Sequence, residues 1–458
     1  MRTLARPDLP TDTASLATGE LSIPTAKQRL ADRLLSVFAS VRVGEGIGAF
    51  LLATQVFLLL SAYYILKTVR ESLILSEGGA EVKAYSSAAQ AMLLLLVIPS
   101  YGWLASKMKR DRLLTFVTLF FASHLLVFAL LAGTGVHIGV VFFVWVGIFN
   151  LFVVSQFWAL ANDLYEEEQG KRLLPIVGIG SSLGAWIGSM YAASLFSTLG
   201  STGLMLLATG LLGACVGIQQ ALKRFPTAFR KERQAIGQKP LNKQGAFRLI
   251  LQSRYLFRIA ILVVVLNVVN TTGEFMLSKL VVNETDRMAN AGLISPAQKT
   301  AHIGEFYGAF FGWVNLTGML LQLFVVSRLF KLIGVRGSLF VLPSIALLGY
   351  GLVAVAPLLA FVQVAKVLEN GTDYSVQNTA RHALFLITSR EAKYKAKAAI
   401  DSFFWRIGDV LAACLVFVGT RFQFGIKTYA ACNLVLAVFW IGIVSLVATE
   451  HKTLSSSA

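Results

Sequence analysis

The sequence predicts an all-α protein that crosses a membrane many times. Of its 458 residues, 56% are hydrophobic and only 14% are charged, whereas a water-soluble protein carries about a quarter charged residues. Runs of about 20 apolar residues recur along the chain, and each is long enough to cross the ~30 Å hydrocarbon core of a bilayer as a helix. These runs leave no room for a large soluble domain.

The apolar runs indicate about twelve transmembrane helices. All three cysteines lie within apolar runs, and their spacing matches no zinc or haem motif, so no disulfide framework or metal site is predicted. The predicted spans are residues 47–66, 86–106, 113–133, 138–162, 173–197, 202–222, 259–281, 303–327, 336–356, 357–380, 398–420 and 426–448.

The net charge of +17 is explained by membrane topology. The basic residues fall in alternate loops between the spans, and the positive-inside rule then places both termini in the cytoplasm. Nucleic-acid binding is not expected. The polar N-terminal segment excludes a cleavable signal peptide, and its residues 27–43 have the apolar face of a helix that lies on the inner leaflet of the membrane.

The spans divide the chain into two halves of six helices. A similar amphipathic segment, residues 244–257, precedes the seventh span, which suggests an internal duplication. The predicted parts are a cytoplasmic N-terminal segment, an N-terminal half, a basic cytoplasmic linker, a C-terminal half and a cytoplasmic tail, at 1–46, 47–222, 223–258, 259–448 and 449–458.

A basic loop stands at the same place in each half. Residues 102–112, GWLASKMKRDR, and 327–336, SRLFKLIGVR, resemble the cytoplasmic loop motif of the major facilitator superfamily. The resemblance implies two six-helix halves with a substrate site near mid-membrane. It also implies that these loops govern conformational switching, through Gly102, Lys107, Arg110, Arg328 and Arg336.

Sequence motifs of enzymes are absent or out of context. Residues 180–184, GSSLG, match G-x-S-x-G, but they lie in a transmembrane helix, where small residues permit close helix packing. No phosphate-binding loop and no zinc-protease motif occurs. We therefore expect neither an enzyme nor a bound cofactor.

Ionisable residues inside the spans indicate the functional site, because such residues are costly in a membrane and face a cavity or a partner. Arg70 and Lys279 belong to equivalent spans, and two opposed cations would favour an anionic substrate. Alternatively, neighbouring carboxylates match the cations, as Glu369 could match Lys366 one helical turn away. The four charged clusters are Lys67, Arg70 and Glu71; Glu274 and Lys279; Lys366, Glu369 and Asp373; and Asp401, Arg406 and Asp409.

Several segments resemble the ATP/ADP translocase family of plastids and intracellular bacteria. Residues 64–73, YILKTVRESL, followed by GAEV at 79–82, resemble its first-helix motif. Residues 157–163, FWALAND, are similar to its fourth-helix signature, residues 267–280 to its seventh helix, and residues 395–401, KAKAAID, to its entry into the eleventh helix.

The resemblance implies roles for individual residues. The family's first-helix cation falls on Arg70, its seventh-helix acid on or next to Glu274, and its basic residue before the eleventh helix on Lys395 or Lys397. A family acid in the fourth helix falls on apolar Val146, with Asn150 the nearest polar residue. The predicted substrate-binding residues are Lys67, Arg70, Asn162, Glu274, Lys279, Lys366, Lys395, Lys397 and Arg406.

The function expected is exchange of ATP, ADP or related nucleotides by alternating access, in a monomeric protein of the bacterial inner membrane. One alternative is a major-facilitator transporter of another organic anion, coupled to protons through Glu274 or Glu369. A membrane scaffold or receptor without transport is the other alternative, although a scaffold has no need for buried charges in both halves.

Overall fold

The protein is helical throughout the part of the chain that the structure describes. A computed structural model describes residues 41–42, 45–107, 110–165, 167–222, 245–295 and 298–457, and these residues contain no β-strand. The predicted all-α class is confirmed. The amphipathic helix expected at 27–43 and most of the basic linker expected at 223–258 lie outside the described residues.

The N-terminal half contains two long helical hairpins with two further helices between them. Gly46–Lys107 is divided at Gly79, and Glu167–Leu222 at Gly200. These glycines have φ of 74° and 61°, a left-handed conformation that is costly for residues with a Cβ. The six helices are α1 (46–78), α2 (80–107), α3 (Arg110–Gly133), α4 (Gly139–Leu164), α5 (167–199) and α6 (201–222).

The C-terminal half has the same order of helices. A short helix, Ala246–Gln252, precedes it, and the chain makes another left-handed turn at Gly334, where φ is 68°. The six helices are α7 (Arg254–Asn290), α8 (299–333), α9 (Val341–Val355), α10 (359–383), α11 (Ala392–Arg421) and α12 (Ile426–Ser457).

Eight stretches of the described chain are long and apolar enough to cross a membrane, and two of these are the hairpins that Gly79 and Gly200 divide. The helix α9 is apolar but shorter than the others. The exact number of crossings therefore stays a prediction. Several helices extend beyond the predicted spans: α1 continues to residue 78 instead of ending at 66. Hydropathy marks only the apolar part of a helix and misses the polar turns that line a cavity.

Each half has a core of its own. One cluster of buried apolar side chains consists almost wholly of residues between 49 and 222, and a second is formed mainly by residues between 250 and 447. Within the N-terminal half, α5 lies against α1 through Gly180, Gly184 and Gly188. A Cβ at Gly184 would lie 2.3 Å from the carbonyl oxygen of Phe57, so these residues pack helices, as predicted for the GSSLG sequence.

The two halves are joined near one end of the bundle. We call the end that carries the turns at Gly79 and Gly200 the hairpin side, and the end that carries the turn at Gly334 the terminal side. Ser72 Oγ donates to the Thr300 carbonyl oxygen at 2.6 Å, and Asn315 Nδ2 donates to Ser189 Oγ at 3.1 Å. Lys279 forms an ion pair with Glu81. These contacts lie in the hairpin-side half of the helices, so this structure is closed there.

On the terminal side, a buried ion pair fixes the start of α1 to the start of α5. Arg172 donates to both carboxylate oxygens of Glu45 at 3.0 Å, and the two side chains are 19% and 15% exposed. Burial raises the pKa of Glu45, but the Arg172 guanidinium and the backbone amide of Arg42 outweigh it and hold that pKa below its usual value.

We expect Arg172→Met to lower the free energy of unfolding by about 1.5–3 kcal/mol, because it leaves a partly buried carboxylate without its charged partner. Thermal unfolding of the detergent-solubilised protein measures the change. The neighbouring Lys171 is a matched control: it is 61% exposed, so Lys171→Met should change the stability by only a few tenths of a kcal/mol. Because the pKa of Glu45 is lowered, the contribution of the pair is present at neutral pH and lost as acid protonates Glu45. Equal stability of the two variants at pH 7 would contradict this role.

Candidate functional site

A polar cavity lies between the two halves of the bundle. It encloses about 810 Å³ of space free of atoms, including the part that is open to solvent. Its walls come from α1, α2, α4, α7, α8 and α10, and its charged lining residues are Lys67, Arg70, Glu71, Lys83 and Glu274.

On the N-terminal wall, one carboxylate holds two cations. Arg70 Nε donates to Glu71 Oε1 at 3.1 Å, and Lys83 Nζ lies 2.7 Å from Glu71 Oε2. Residues 71 and 83 are twelve positions apart, and only the fold of the chain at Gly79 brings them together. The guanidinium of Arg70 also lies 4.4 Å from the centre of the Phe143 ring, at cation–π distance.

Lys67 has a different environment, although it lies one turn from Arg70 on α1. Its Nζ is 4.1 Å from the ring centre of Phe311 and 5.3 Å from that of Tyr64. Among the described residues, no carboxylate lies within 4 Å of it. The closest contacts of this cation are therefore aromatic rings and not a carboxylate, which favours binding of an anion.

The C-terminal wall contains a fully buried lysine between two carboxylates. Lys366 Nζ lies 3.2 Å from Glu369 and 3.7 Å from Glu274, and donates to the Asn270 side-chain oxygen at 2.6 Å. Glu369 also accepts a hydrogen bond from Tyr350 at 2.7 Å. The expected pairing of Lys366 with Glu369 is confirmed, and it places the charge of Lys366 behind the cavity surface.

Several predicted site residues lie away from the cavity. Lys279 pairs with Glu81 outside the lining, and Arg406 pairs with Asp409 at 3.1 Å. Asn162 is exposed near the terminal end of α4, and Lys397 pairs with Asp401 at 3.4 Å. Lys395, two residues earlier on α11, is also outside the lining. Their roles in substrate binding stay predictions.

The loop residues predicted to control switching lie on the terminal side. Arg328 and Arg336 are exposed on either side of the turn at Gly334. Gly102 lies in the last turns of α2, which ends at Lys107, and α3 begins at Arg110. The structure describes the backbone of these residues and not their side chains.

Lys83 is a cavity residue that the hydropathy pattern does not predict. The predicted spans ended at 66 and resumed at 86, so Lys83 lay in a presumed loop. In the structure it is in the first turns of α2, with its side chain 12% exposed. The sequence does contain a signal for it: Lys83 follows the turn glycine Gly79 by four residues and Glu71 of the preceding helix by twelve.

A comparison with known protein families agrees with a cavity that binds an anion. A family model described as TLC ATP/ADP transporter matches residues 28–133 and 219–457. The chain belongs to the TLC ATP/ADP transporter family. The prediction of a transporter, and not an enzyme, is confirmed. The matched residues do not include 134–218, so the similarity of FWALAND at 157–163 to a family signature stays a prediction.

Two relatives from Chlamydia pneumoniae carry names of the same kind. The chain is 23% identical over 352 residues to ADP,ATP carrier protein 1, and the aligned region covers 66% of this chain and 64% of that protein. It is 22% identical over 482 residues to ADP,ATP carrier protein 2, which covers 86% and 87%.

Solved structures of transporters share the fold. The nucleoside transporter NupG is similar with a TM-score of 0.60 at 13% identity, over 89% of this chain and 98% of that one. A bacterial homologue of the iron transporter ferroportin gives 0.60 at 13% identity, over 88% and 98%. A peptide transporter POT gives 0.59 at 13% identity, over 88% and 95%. The major-facilitator-type fold is confirmed.

Proposed function

We propose that the protein exchanges ATP for ADP across a membrane by alternating access. The observation that carries the proposal is the cavity between the halves, with Lys67, Arg70 and Lys83 on one wall. An arginine fork binds phosphate oxygens through two hydrogen bonds, and lysines add point charges. The family and its ADP,ATP carrier relatives support the nucleotide as substrate.

The cavity also offers aromatic surfaces for a base. Phe143, Phe275, Phe311 and Tyr374 line it beside the cations. The cations Lys67 and Arg70 already lie over Phe311 and Phe143. Tyr374 belongs to α10, on the opposite wall, and it is 46% exposed, so its ring is our candidate for stacking on adenine. Phe275 of α7 is buried, and its ring centre lies 5.8 Å from Lys279 Nζ.

We include in the proposal the cellular location and the membrane topology expected from the sequence. The membrane is a bacterial inner membrane, both termini are cytoplasmic, and the protein acts as a monomer. The loops rich in Lys and Arg support this orientation by the positive-inside rule. In that orientation the structure is closed on its outer face.

Reconstitution tests the exchange. We expect vesicles preloaded with ADP to take up labelled ATP at least about tenfold faster than empty vesicles, because exchange requires a nucleotide for the return step. The purified protein should release no phosphate from ATP, since the sequence contains no phosphate-binding loop. Uptake that is independent of internal nucleotide, or steady phosphate release, would contradict the proposal.

A second candidate is proton-coupled transport of an organic anion. The observation that favours it is the sharing of one lysine, Lys366, by Glu274 and Glu369, because a carboxylate with half a partner can accept a proton. A pH gradient imposed across empty vesicles separates the candidates. Exchange predicts no uptake under these conditions, whereas proton coupling predicts accumulation driven by the gradient.

A further inference from the structure

Lys83 occupies the closed end of the cavity, where the two halves meet. Its Nζ contacts Glu71 of its own half at 2.7 Å and donates to Ser278 Oγ of the other half at 2.8 Å. The Tyr307 ring centre lies 5.2 Å away. At 1.5 Å per residue, Lys83 is only about 6 Å from the turn at Gly79, while Arg70 is about 13 Å from it.

The charges on this wall are not balanced. Three cations, Lys67, Arg70 and Lys83, face one carboxylate, Glu71. On the opposite wall one cation, Lys366, faces two carboxylates, Glu274 and Glu369. The positive excess therefore lies entirely on the α1–α2 wall.

The Glu71 carboxylate shows that one anionic group fits between Arg70 and Lys83. Each of its two oxygens contacts one of the cations. A phosphate has three such oxygens and can contact the same pair. The phosphate bonded to it, nearer the nucleoside, can then lie along α1 between Arg70 and Lys67, which is one turn away, so that the outer phosphate is the one that contacts Lys83.

We propose that Lys83 is a third phosphate-binding residue and that it sets the preference for a nucleoside triphosphate or diphosphate over a monophosphate. This inference rests on the proposed nucleotide function. A monophosphate is satisfied by Lys67 and Arg70, whereas a longer phosphate chain reaches Lys83 as well.

A purely structural role for Lys83 makes a different prediction. If Lys83 only joined the halves through Ser278, its loss would alter the rate of switching, and any effect on affinity would be the same for each nucleotide. The ratio of the affinities for ATP and AMP therefore distinguishes a phosphate ligand from a contact between halves.

The experiment measures displacement of a fluorescent ATP analogue from the purified full-length protein by ATP, ADP, AMP and pyrophosphate. We expect Lys83→Gln to weaken ATP, ADP and pyrophosphate about tenfold and AMP less than twofold, since one charge-assisted hydrogen bond is lost only for the longer phosphate chains. Lys83→Arg, which keeps the charge, should retain most of the preference for ATP.

Two further variants serve as controls. Lys299→Gln removes a lysine that pairs with Asp286 on the hairpin side, outside the cavity, and should bind every ligand as the unmodified protein does. Ser278→Ala removes the contact of Lys83 with the other half and keeps its charge, so the ratio for ATP and AMP should persist.

The outcomes separate this inference from the proposed function. Equal weakening of ATP and AMP by Lys83→Gln, or loss of the ratio in Ser278→Ala, would overturn the role of Lys83. If Lys83→Gln does not fold, the unmodified protein decides the question, because displacement of the analogue by AMP as strong as that by ATP would overturn the preference assigned to Lys83. Failure of the unmodified protein to bind any of the four ligands would instead refute the nucleotide proposal.

Discussion

Nucleotide exchange is expected to fall by about ten- to a hundredfold when Arg70 is replaced by alanine. Arg70 is the only arginine that lines the cavity within the described residues, and its fork can hold a phosphate with two charge-assisted hydrogen bonds. Such a contact typically contributes ~1.5–3 kcal/mol, or roughly ten- to more than a hundredfold in affinity. Exchange of labelled ATP in ADP-loaded vesicles measures the loss, and nucleotide displacement measures the affinity.

Two companion variants define what Arg70 contributes. Arg70→Lys keeps the charge without the fork and should retain partial activity. Arg287→Ala removes an arginine that is 77% exposed on the hairpin side and should transport normally. If Arg70→Ala exchanged nucleotide at the rate of the Arg287→Ala control, Arg70 would be no more than a partner of Glu71.

Replacement of Gly308 by leucine should arrest exchange in a protein that still folds. Gly308 on α8 faces α5 of the other half, and a Cβ there would lie 2.6 Å from the backbone nitrogen of Ala193. Real Cβ atoms do not approach backbone so closely, so the hairpin side cannot close as it does here. We expect exchange to fall below a tenth of the normal rate, with normal yield and a monodisperse elution profile.

The same substitution within one half should have a different effect. A Cβ at Gly184 would meet Phe57 of the same half, so Gly184→Leu should reduce the yield of folded protein. Gly213, which has open space around it, is the matched control, and Gly213→Leu should exchange nucleotide normally. Normal exchange by Gly308→Leu would show that the approach of α5 and α8 is not required for the transport cycle.

The sequence alone was sufficient for the helical fold and for part of the site. Charges inside apolar runs predicted Lys67, Arg70 and Glu274, which line the cavity, because the cost of burying an ion limits where it can lie. Their roles in binding stay predictions. The partners of these charges were harder to predict. Lys83 is not predicted, because the end of an apolar run does not show where the chain turns back. The turn at Gly79 starts α2 early enough for Lys83 to face Glu71.

Lys279 lies outside the cavity lining, although the symmetry of the two halves favours a place inside it. Equivalence of α1 and α7 suggested that it would face Arg70, but symmetry between halves does not determine the direction in which a particular side chain points. Lys279 instead pairs with Glu81. The helix bounds differ for a related reason: α1, at 46–78, is longer than a bilayer requires, and its polar turns became visible only as the wall of a cavity.

The unequal charge of the two walls has a consequence for the geometry of exchange. Its gradient runs across the cavity, from α1 and α2 towards α7 and α10. This gradient orients a molecule that has phosphates at one end, so that the phosphates face Arg70 and the other end faces Glu274. Under the proposed exchange, ATP and ADP therefore place their phosphates against the same wall, whichever side of the membrane they enter from.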